Sequence, residues 1–378
     1  MYAEQLTIFT HAHLEPLAIG AGILGTGGGG SPYLSKIIVG QMLKDGYEVP
    51  VVSLADLSDD AFVASTGGVG APTVGVERMT EGEEMLRALR ALERHTGHAA
   101  THMIAAEIGG GNAISPIKVA IQAGLPVVDG DGMGRAFPEL QMDTYCIYGV
   151  PPTPSAISDV RGHIAIFDAI DDARDLERYV RQVTVQMGGG AGAAGPLMTG
   201  EDARRTAIPG TLTFAVQIGQ TVLEARREHA DPVAAVLDLA DGVRLFSGKI
   251  VDVDRRFVSG FARGTLQLEG VAEDTGRSLG IEFQNENLVA TDDEGAVLCS
   301  VPDLICIVDA ETAEPITTEM LRYGLRVAVI GIPAPHLIAT PEALEVVGPA
   351  AFGYPEVEYT PLPGVYGGKL ADLVRHRS

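Results

Sequence analysis

At 378 residues the chain is long for a single hydrophobic core, so we expect two domains. Hydrophobic residues make up 46% of the sequence, a fraction typical of a folded globular protein and too high for a disordered one. The formal net charge of -23 repels phosphate backbones and anionic lipid, so we expect neither nucleic acid nor a membrane surface as a partner. No apolar run is long enough to span a membrane and the N-terminus has no signal-peptide pattern, which predicts a cytoplasmic protein.

Strand-like and helical segments alternate in the N-terminal part of the chain. The pattern predicts strands at 48–53, 61–65, 102–106 and 125–129, and helices at 31–43, 81–95 and 115–123. Ser31 and Pro32 suit the start of the first of these helices, because serine is a favoured N-cap and proline is tolerated in the first turn. This alternation predicts an α/β domain over residues 1–165, which ends near a proline-rich segment at 150–159.

The second half of the chain has a different pattern. It predicts helices at 212–227 and 232–240, followed by short strands at 249–253, 264–268, 278–283, 296–299, 304–308 and 325–330. We therefore expect a smaller, β-rich α+β C-terminal domain over residues 166–365, with a polar tail at 366–378.

Glycine-rich loops follow several of the predicted N-terminal strands. They lie at 66–72 and 107–112, and a further run, Gly27 to Gly30, ends at the N-terminus of the first predicted helix. Such a run can cradle an anion, or it can be a tight turn packed on a neighbour. Because ligand crevices lie beyond the carboxyl ends of parallel strands, we expect these loops to share one site. The candidate substrate-binding residues are Gly27, Gly28, Gly29, Gly30, Glu107, Gly110 and Asn112.

The segment Gly20 to Gly25 formally matches the glycine fingerprint of dinucleotide-binding folds. No firm strand precedes it, and more glycines stand where the helix of that fold has to begin. We therefore predict a glycine-rich turn over residues 19–30 and expect neither NAD nor FAD as a cofactor.

An acidic loop runs from Asp129 to Glu139. It is not an EF-hand, because Met133 and Leu140 occupy positions five and twelve of the calcium loop, where carboxylate ligands are needed. Asp129 and Asp131 can hold a divalent metal ion or share a proton, and Arg135 and Glu139 follow them. The structural alternative is a turn in which aspartate accepts backbone N–H groups and arginine neutralises it.

Two segments of the second half add candidates. Lys249 is either a site-facing cation or a solvated strand lysine. Asn285 and Glu286 lie in a polar stretch directly after a predicted strand, where they orient a ligand rich in amide groups or form a turn.

Three segments of the N-terminal half, together with the second half, carry a family resemblance. The segments 25–33, 107–112 and 127–142 resemble the S-methyl thiohydantoin desulfurase family, and the second half agrees at 246–253, 281–289, 302–309 and 347–354. The resemblance covers about residues 10–360. It implies an N-terminal α/β domain, a smaller β-rich domain, and hydrolytic removal of methanethiol from a thiohydantoin propionate to leave a hydantoin. The broadest chemistry that the resemblance implies is that of cyclic ureides or amides.

Such a reaction needs a base or a metal to activate water and an acid or cation to stabilise the leaving group. Our hypothesis takes Asp129, Asp131, Arg135, Glu139 and Lys249 as the catalytic candidates. In it Asp129 and Asp131 hold a metal or act as base, Arg135 or the glycine-loop amides bind the substrate carboxylate, and Glu139 supports the loop. We expect a small-molecule substrate and a homo-oligomer. The alternatives are a non-catalytic protein that binds small carboxylates and, third, a nucleotide-dependent enzyme.

Overall fold

The computed structural model describes residues 5–44, 46–70, 74, 80–258 and 261–374. Within these residues the chain forms a nine-stranded mixed sheet with helices packed on it and a seven-stranded antiparallel sheet. The prediction of an α/β N-terminal part and a β-rich C-terminal part is thus confirmed. In the described part of the chain, no helix is both long enough and apolar enough to cross a membrane.

The first sheet is parallel at its centre and antiparallel at its edges. Its strands are β1 (Ile8–Phe9), β2 (Val49–Ser53), β3 (Phe62–Gly70), β4 (His102–Ala105), β5 (Val127–Asp131), β6 (Ser155–Ser158), β7 (Ile164–Phe167), β8 (Gly190–Thr199) and β9 (Ile208–Pro209). Their order is β1-β2-β5-β4-β3-β8-β6-β7, with β9 paired to β5. Strands β2, β5, β4 and β3 run parallel. The carboxyl ends of β3, β4 and β5 therefore meet at one edge, as the glycine loops led us to expect.

Helices connect and cover these strands. Those described are α1 (Leu14–Leu24), α2 (Pro32–Lys44), α3 (Glu84–Thr96), α4 (Ser115–Ala123), α5 (Thr144–Ile147), α6 (Ala173–Gln186), α7 (Gly200–Thr206), α8 (Thr211–Glu228), α9 (Pro232–Ala240), α10 (Pro341–Val347) and α11 (Ala371–Val374). Helices α3 and α4 both end at a glycine in the left-handed conformation, Gly97 and Gly124, which a residue with a side chain adopts only with strain.

The second sheet is antiparallel throughout, and its first five strands in chain order form a meander. Its strands are β10 (Val243–Val258), β11 (Phe261–Gly270), β12 (Ser278–Gln284), β13 (Glu286–Asp292), β14 (Val297–Ser300), β15 (Leu304–Asp309) and β16 (Arg326–Ile332), in the order β14-β13-β12-β11-β10-β16-β15. Alternate residues such as Leu266, Leu268, Leu279 and Ile281 point into its core, because successive side chains of a strand face opposite sides.

The predicted turn over residues 19–30 is wrong in its first part. Residues up to Leu24 belong to α1, which is buried on all sides except at Glu15, so it shows no amphipathic period. Its glycines permit a close crossing with α8. A Cβ atom on Gly20 would lie 1.8 Å from the carbonyl oxygen of Ala215, and one on Gly219 would lie 1.8 Å from that of Pro16. The glycine fingerprint is thus a helix-packing feature.

The two sheets do not divide at residue 165. Strand β7 includes that residue, and β8 pairs with β3 at the centre of the first sheet. Helix α8 packs on α1, so residues up to the end of α9 lie with the first sheet. The second sheet begins with β10 at Val243.

Gly219→Ala tests the helix crossing. We expect it to lower the free energy of unfolding by about 3 kcal/mol, because the new methyl group forces two backbones apart. The matched control is Gly40→Ala in α2, where the Cβ would meet side-chain ends and no backbone, Cδ2 of Leu14 at 3.2 Å and Nε2 of His11 at 3.9 Å, so we expect a change within about 1 kcal/mol. Urea denaturation measures both. Equal stabilities of the two variants would contradict the crossing.

Candidate functional site

A cavity of about 480 Å³ lies where the carboxyl ends of β3, β4 and β5 meet the hairpin that joins β12 and β13. Both halves of the chain therefore contribute to it. Its lining includes the polar side chains of Glu107, Asn112, Lys118, Glu139, Asn285 and Glu286. Apolar lining comes from side chains such as Met133 and Phe137, which limit the water that reaches the polar groups.

The glycine loops interlock beside this cavity. The Gly111 N–H donates to the carbonyl of Gly30 at 3.0 Å. A Cβ on Gly29 would lie 2.4 Å from the carbonyl oxygen of Gly109, so only glycine permits this approach. The third loop joins through Asn112, whose Oδ1 accepts from the N–H of Gly68 at 2.7 Å. The predicted convergence of the loops is confirmed.

The run Gly27 to Gly30 also contacts the second sheet. The Thr318 N–H donates to the Gly27 carbonyl at 2.9 Å. A Cβ on Gly28 would lie 1.8 Å from Oε1 of Glu286. Gly27 and Gly28 therefore serve to bring Glu286 close to the N-terminal loops, while Gly29 and Gly30 line the cavity.

Glu107 is a buried carboxyl group on the cavity wall. Its Oε1 accepts from Asn112 Nδ2 at 2.6 Å, and its Oε2 accepts from the Phe137 N–H at 3.1 Å. Burial raises the pKa of Glu107 to about 7, although both hydrogen bonds oppose the shift. A carboxyl group with a pKa near neutrality can both accept and release a proton.

Glu286 is another buried carboxyl group on the wall, which also carries Glu84 and Asp143. It is 2% exposed, and its Oε2 has no hydrogen-bond partner among the described residues. Burial, followed by the negative charge of Glu107, raises the pKa of Glu286 well above the ordinary value. We call Glu107 and Glu286 the carboxyl pair. Asn285 precedes Glu286 in the left-handed conformation, with φ +57, and its Oδ1 accepts from the Ala262 N–H at 2.9 Å.

Asp131 is fully buried and does not line the cavity within the described residues. Its Oδ2 accepts three backbone N–H groups, from Ile108 at 2.8 Å, Met133 at 3.0 Å and Gly134 at 2.8 Å. Burial raises its pKa to about 7. Asp131 therefore fixes the turn after β5 to the loop after β4, which is the structural alternative considered for this loop.

Asp129 binds the N-terminus of α8. Its Oδ1 accepts from the Thr213 N–H at 3.0 Å and its Oδ2 from the Thr213 hydroxyl at 2.7 Å. The side chain is fully buried and does not line the cavity either. The carboxylate thus satisfies N–H donors at a helix start, where negative charge is stabilising.

The surroundings of Asp129 and Asp131 do not fit a divalent ion. Three of their four oxygens face N–H or O–H donors, whose positive ends repel a cation, and among the described residues no third carboxylate, histidine or cysteine joins them in a metal-binding group. In the parts of the chain that the structure describes, no group of three or more such ligands is arranged to hold a metal.

Arg135 is also fully buried, and the prediction that it contacts substrate does not match its position. Its guanidinium donates to the carbonyl oxygens of Ala136, Pro302, Asp303 and Asn287, and to the Thr26 hydroxyl. All five N–H donors are occupied, so none is free for a ligand. Burial lowers the pKa of Arg135 to about 10, so it stays charged at neutral pH.

The remaining catalytic candidates, Glu139 and Lys249, lie in different parts of the structure. Glu139 lines the cavity and accepts a hydrogen bond from Gln141 Nε2. Lys249 lies in β10 with its Nζ 5.0 Å from the ring centre of Tyr323, and it does not line the cavity. Lys249 lies in the second sheet, opposite Glu269 on one neighbouring strand and Arg326 on the other. It is therefore not placed to act on a ligand in the cavity.

Sequence reasoning missed four charged residues of the lining, which are Glu84, Lys118, Asp143 and Arg181. Lys118 is 7% exposed and lies in α4, which is otherwise apolar around it. A lysine on an apolar helix directly after a glycine loop is a signal that could have identified it, since buried lysines are rare without a partner.

Both parts of the chain match models of known protein domains. The model of the S-Me-THD-like N-terminal domain matches residues 12–169, and that of the S-Me-THD-like C-terminal domain matches residues 170–362. The X-ray crystal structure of a protein from Chromobacterium violaceum is similar, with a TM-score of 0.81 and 26% sequence identity over 94% of this chain and 100% of that chain. No curated protein matches the sequence.

Asp131→Asn tests the role of Asp131. The amide oxygen can accept the three N–H groups and the amide nitrogen can occupy the place of Oδ1, which has no partner among the described residues, so we expect near wild-type stability and turnover. Asp131→Ala leaves three N–H groups without an acceptor, and we expect its free energy of unfolding to fall by at least about 2 kcal/mol.

The same pair of variants has a pH signature. A raised carboxyl pKa means that the folded protein holds a proton that the unfolded chain releases, so stability falls as pH rises from about 4 to about 7. Asp131→Asn removes this contribution and flattens the pH dependence measured by urea denaturation. A loss of activity of about a hundredfold in Asp131→Asn would instead make Asp131 a general base.

Proposed function

Because the chain belongs to the S-Me-THD-like family, with both domains matched, we propose that it hydrolyses an S-methyl thiohydantoin or a related cyclic ureide in the cavity between its two halves. The observation that carries this proposal is the carboxyl pair, in which two buried groups of raised pKa line one cavity. Such a pair supplies the base and the acid that the reaction needs.

The chemistry is addition of water followed by loss of methanethiol. Water oxygen bonds to the ring carbon that carries the methylthio group, and a carboxylate accepts one water proton and passes it to the ring nitrogen. The carbon–sulfur bond then breaks as a protonated carboxyl group gives its proton to the leaving methanethiolate, and the hydroxyl proton that remains from water passes to that carboxylate and restores the acid. The ring carbon becomes the carbonyl carbon of a hydantoin, so no atom or electron is left over.

The two members of the carboxyl pair suit different steps of this reaction. Glu107 has a pKa of about 7 and is partly ionised at neutral pH, which suits the base. Glu286 has the more strongly raised pKa and stays protonated, which suits the acid. Asn112 holds Glu107 in place through its Nδ2, and because its Oδ1 is bound to Gly68, its orientation is fixed.

The reaction itself is tested by incubating the purified chain with S-methyl thiohydantoins. We expect stoichiometric methanethiol, detected with a thiol reagent, and a hydantoin that carries one oxygen atom from isotopically labelled water. Absence of methanethiol from a panel of ring substituents, or a product with an opened ring, would contradict the proposed reaction.

Glu107→Gln and Glu286→Gln test the pair. Loss of the base should lower kcat by at least about a hundredfold. In the wild type, kcat/KM should rise as pH increases through about 7, where Glu107 ionises, and fall at higher pH, where Glu286 does. The Glu286→Gln variant should be slower and should lack the alkaline fall.

The matched control is Glu269→Gln on the exposed side of β11, which should keep wild-type kinetics. Circular dichroism checks that each variant is folded. A folded Glu107→Gln variant with full activity would show that another group is the base.

A further inference from the structure

Lys118 presents an amine to the cavity that the rest of the protein does not satisfy. The residue is 7% exposed and lines the cavity from α4. Among the described residues, its Nζ donates no hydrogen bond and forms no ion pair, and Glu84 acts on it only through its charge. Burial lowers the pKa of Lys118, with the charge of Glu84 acting in the opposite direction. Because the Nζ atom is not itself fully buried, the amine faces the cavity, where a bound ligand can supply the missing partner.

The nearest acidic group does not fill this need. Both oxygens of Glu84 accept backbone N–H groups, from Glu81 at 2.8 Å and from Gly82 at 2.9 Å, just before α3. Glu84 therefore serves the start of its own helix and makes no salt bridge to Lys118. A second unsatisfied donor lines the same cavity, since the Ser65 hydroxyl is buried and has no partner among the described residues.

We propose that Lys118 binds a carboxylate substituent of the ligand in this cavity and thereby sets the preference for acidic substrates. This inference rests on the proposed function, because it places the ring at the carboxyl pair and its acidic side chain at Lys118. It replaces the expectation that Arg135 performs this role, since Arg135 has no free donor.

The charge of the cavity argues for a carboxylate over a doubly charged phosphate. Of the two cations that line the cavity, Arg181 is paired with Glu177, so Lys118 is the one left without an ion pair among the described residues, while Glu84, Glu107, Glu139, Asp143 and Glu286 line the same space. A dianion would face more repulsion than one lysine offsets, whereas a monoanion is matched one to one. Lysine also binds as a point charge, which suits a flexible carboxyalkyl chain.

The test compares two S-methyl thiohydantoins that differ only in the side chain, one ending in a carboxylate and the other in the corresponding amide. In the wild type, kcat/KM should favour the acid. In Lys118→Met, the ratio of kcat/KM for the acid to kcat/KM for the amide should fall by roughly 10- to 100-fold. The change should appear in KM. Lys118→Arg should recover part of the preference, and Lys249→Met, outside the cavity, should keep all of it.

Calorimetry with the hydantoin acid and the hydantoin amide gives a readout that does not depend on catalysis. Weaker binding of the acid alone to Lys118→Met supports the inference, and it does so even if no thiohydantoin is turned over, an outcome that would contradict only the proposed reaction. An unchanged preference in a folded Lys118→Met variant that still releases methanethiol would overturn the inference while leaving the proposed function in place.

Discussion

The buried guanidinium of Arg135 is the interaction on which the site depends. Its five donors bind carbonyl oxygens from the loop after β5 and from β13 and the start of β15, together with the hydroxyl of Thr26 at the glycine run. A buried charge of this kind is costly unless every donor is satisfied, so these segments cannot separate without leaving donors unpaired. This constraint holds the hairpin that carries Glu286 against the loop that carries Glu107.

Buried carboxyl groups serve two different purposes here. Asp129 and Asp131 are surrounded by N–H donors and act as acceptors within the fold, where they hold a helix start and a turn. Glu107 and Glu286 have fewer donors and line the cavity. Burial raises the pKa in both sets, so a shifted pKa by itself does not identify a catalytic group. Access to the cavity distinguishes them.

The sequence predicted the layers and the place of the site better than the role of each side chain. Alternating strands and helices indicated the α/β part, and glycine loops after parallel strands indicated where the cavity lies and made Glu107 a candidate. Glu286 became a candidate separately, because it lies in a polar stretch directly after a predicted strand. Helix α1 was missed because a helix buried on all sides has no polar face to mark its period. The acidic loop after β5 drew attention to Asp129 and Asp131, since charge density is visible in a sequence, whereas burial and hydrogen bonding depend on long-range contacts. Lys118 was missed for the same reason.

The central claim is that the ring of the substrate meets the carboxyl pair in the cavity between the two halves. A crystal structure of the chain with a bound hydantoin product tests it most directly. The account predicts that the polar edge of the ring lies within hydrogen-bond distance of Glu107 or Glu286, beside Asn112. A product bound outside the cavity, or within it but in contact with neither glutamate, would contradict the account.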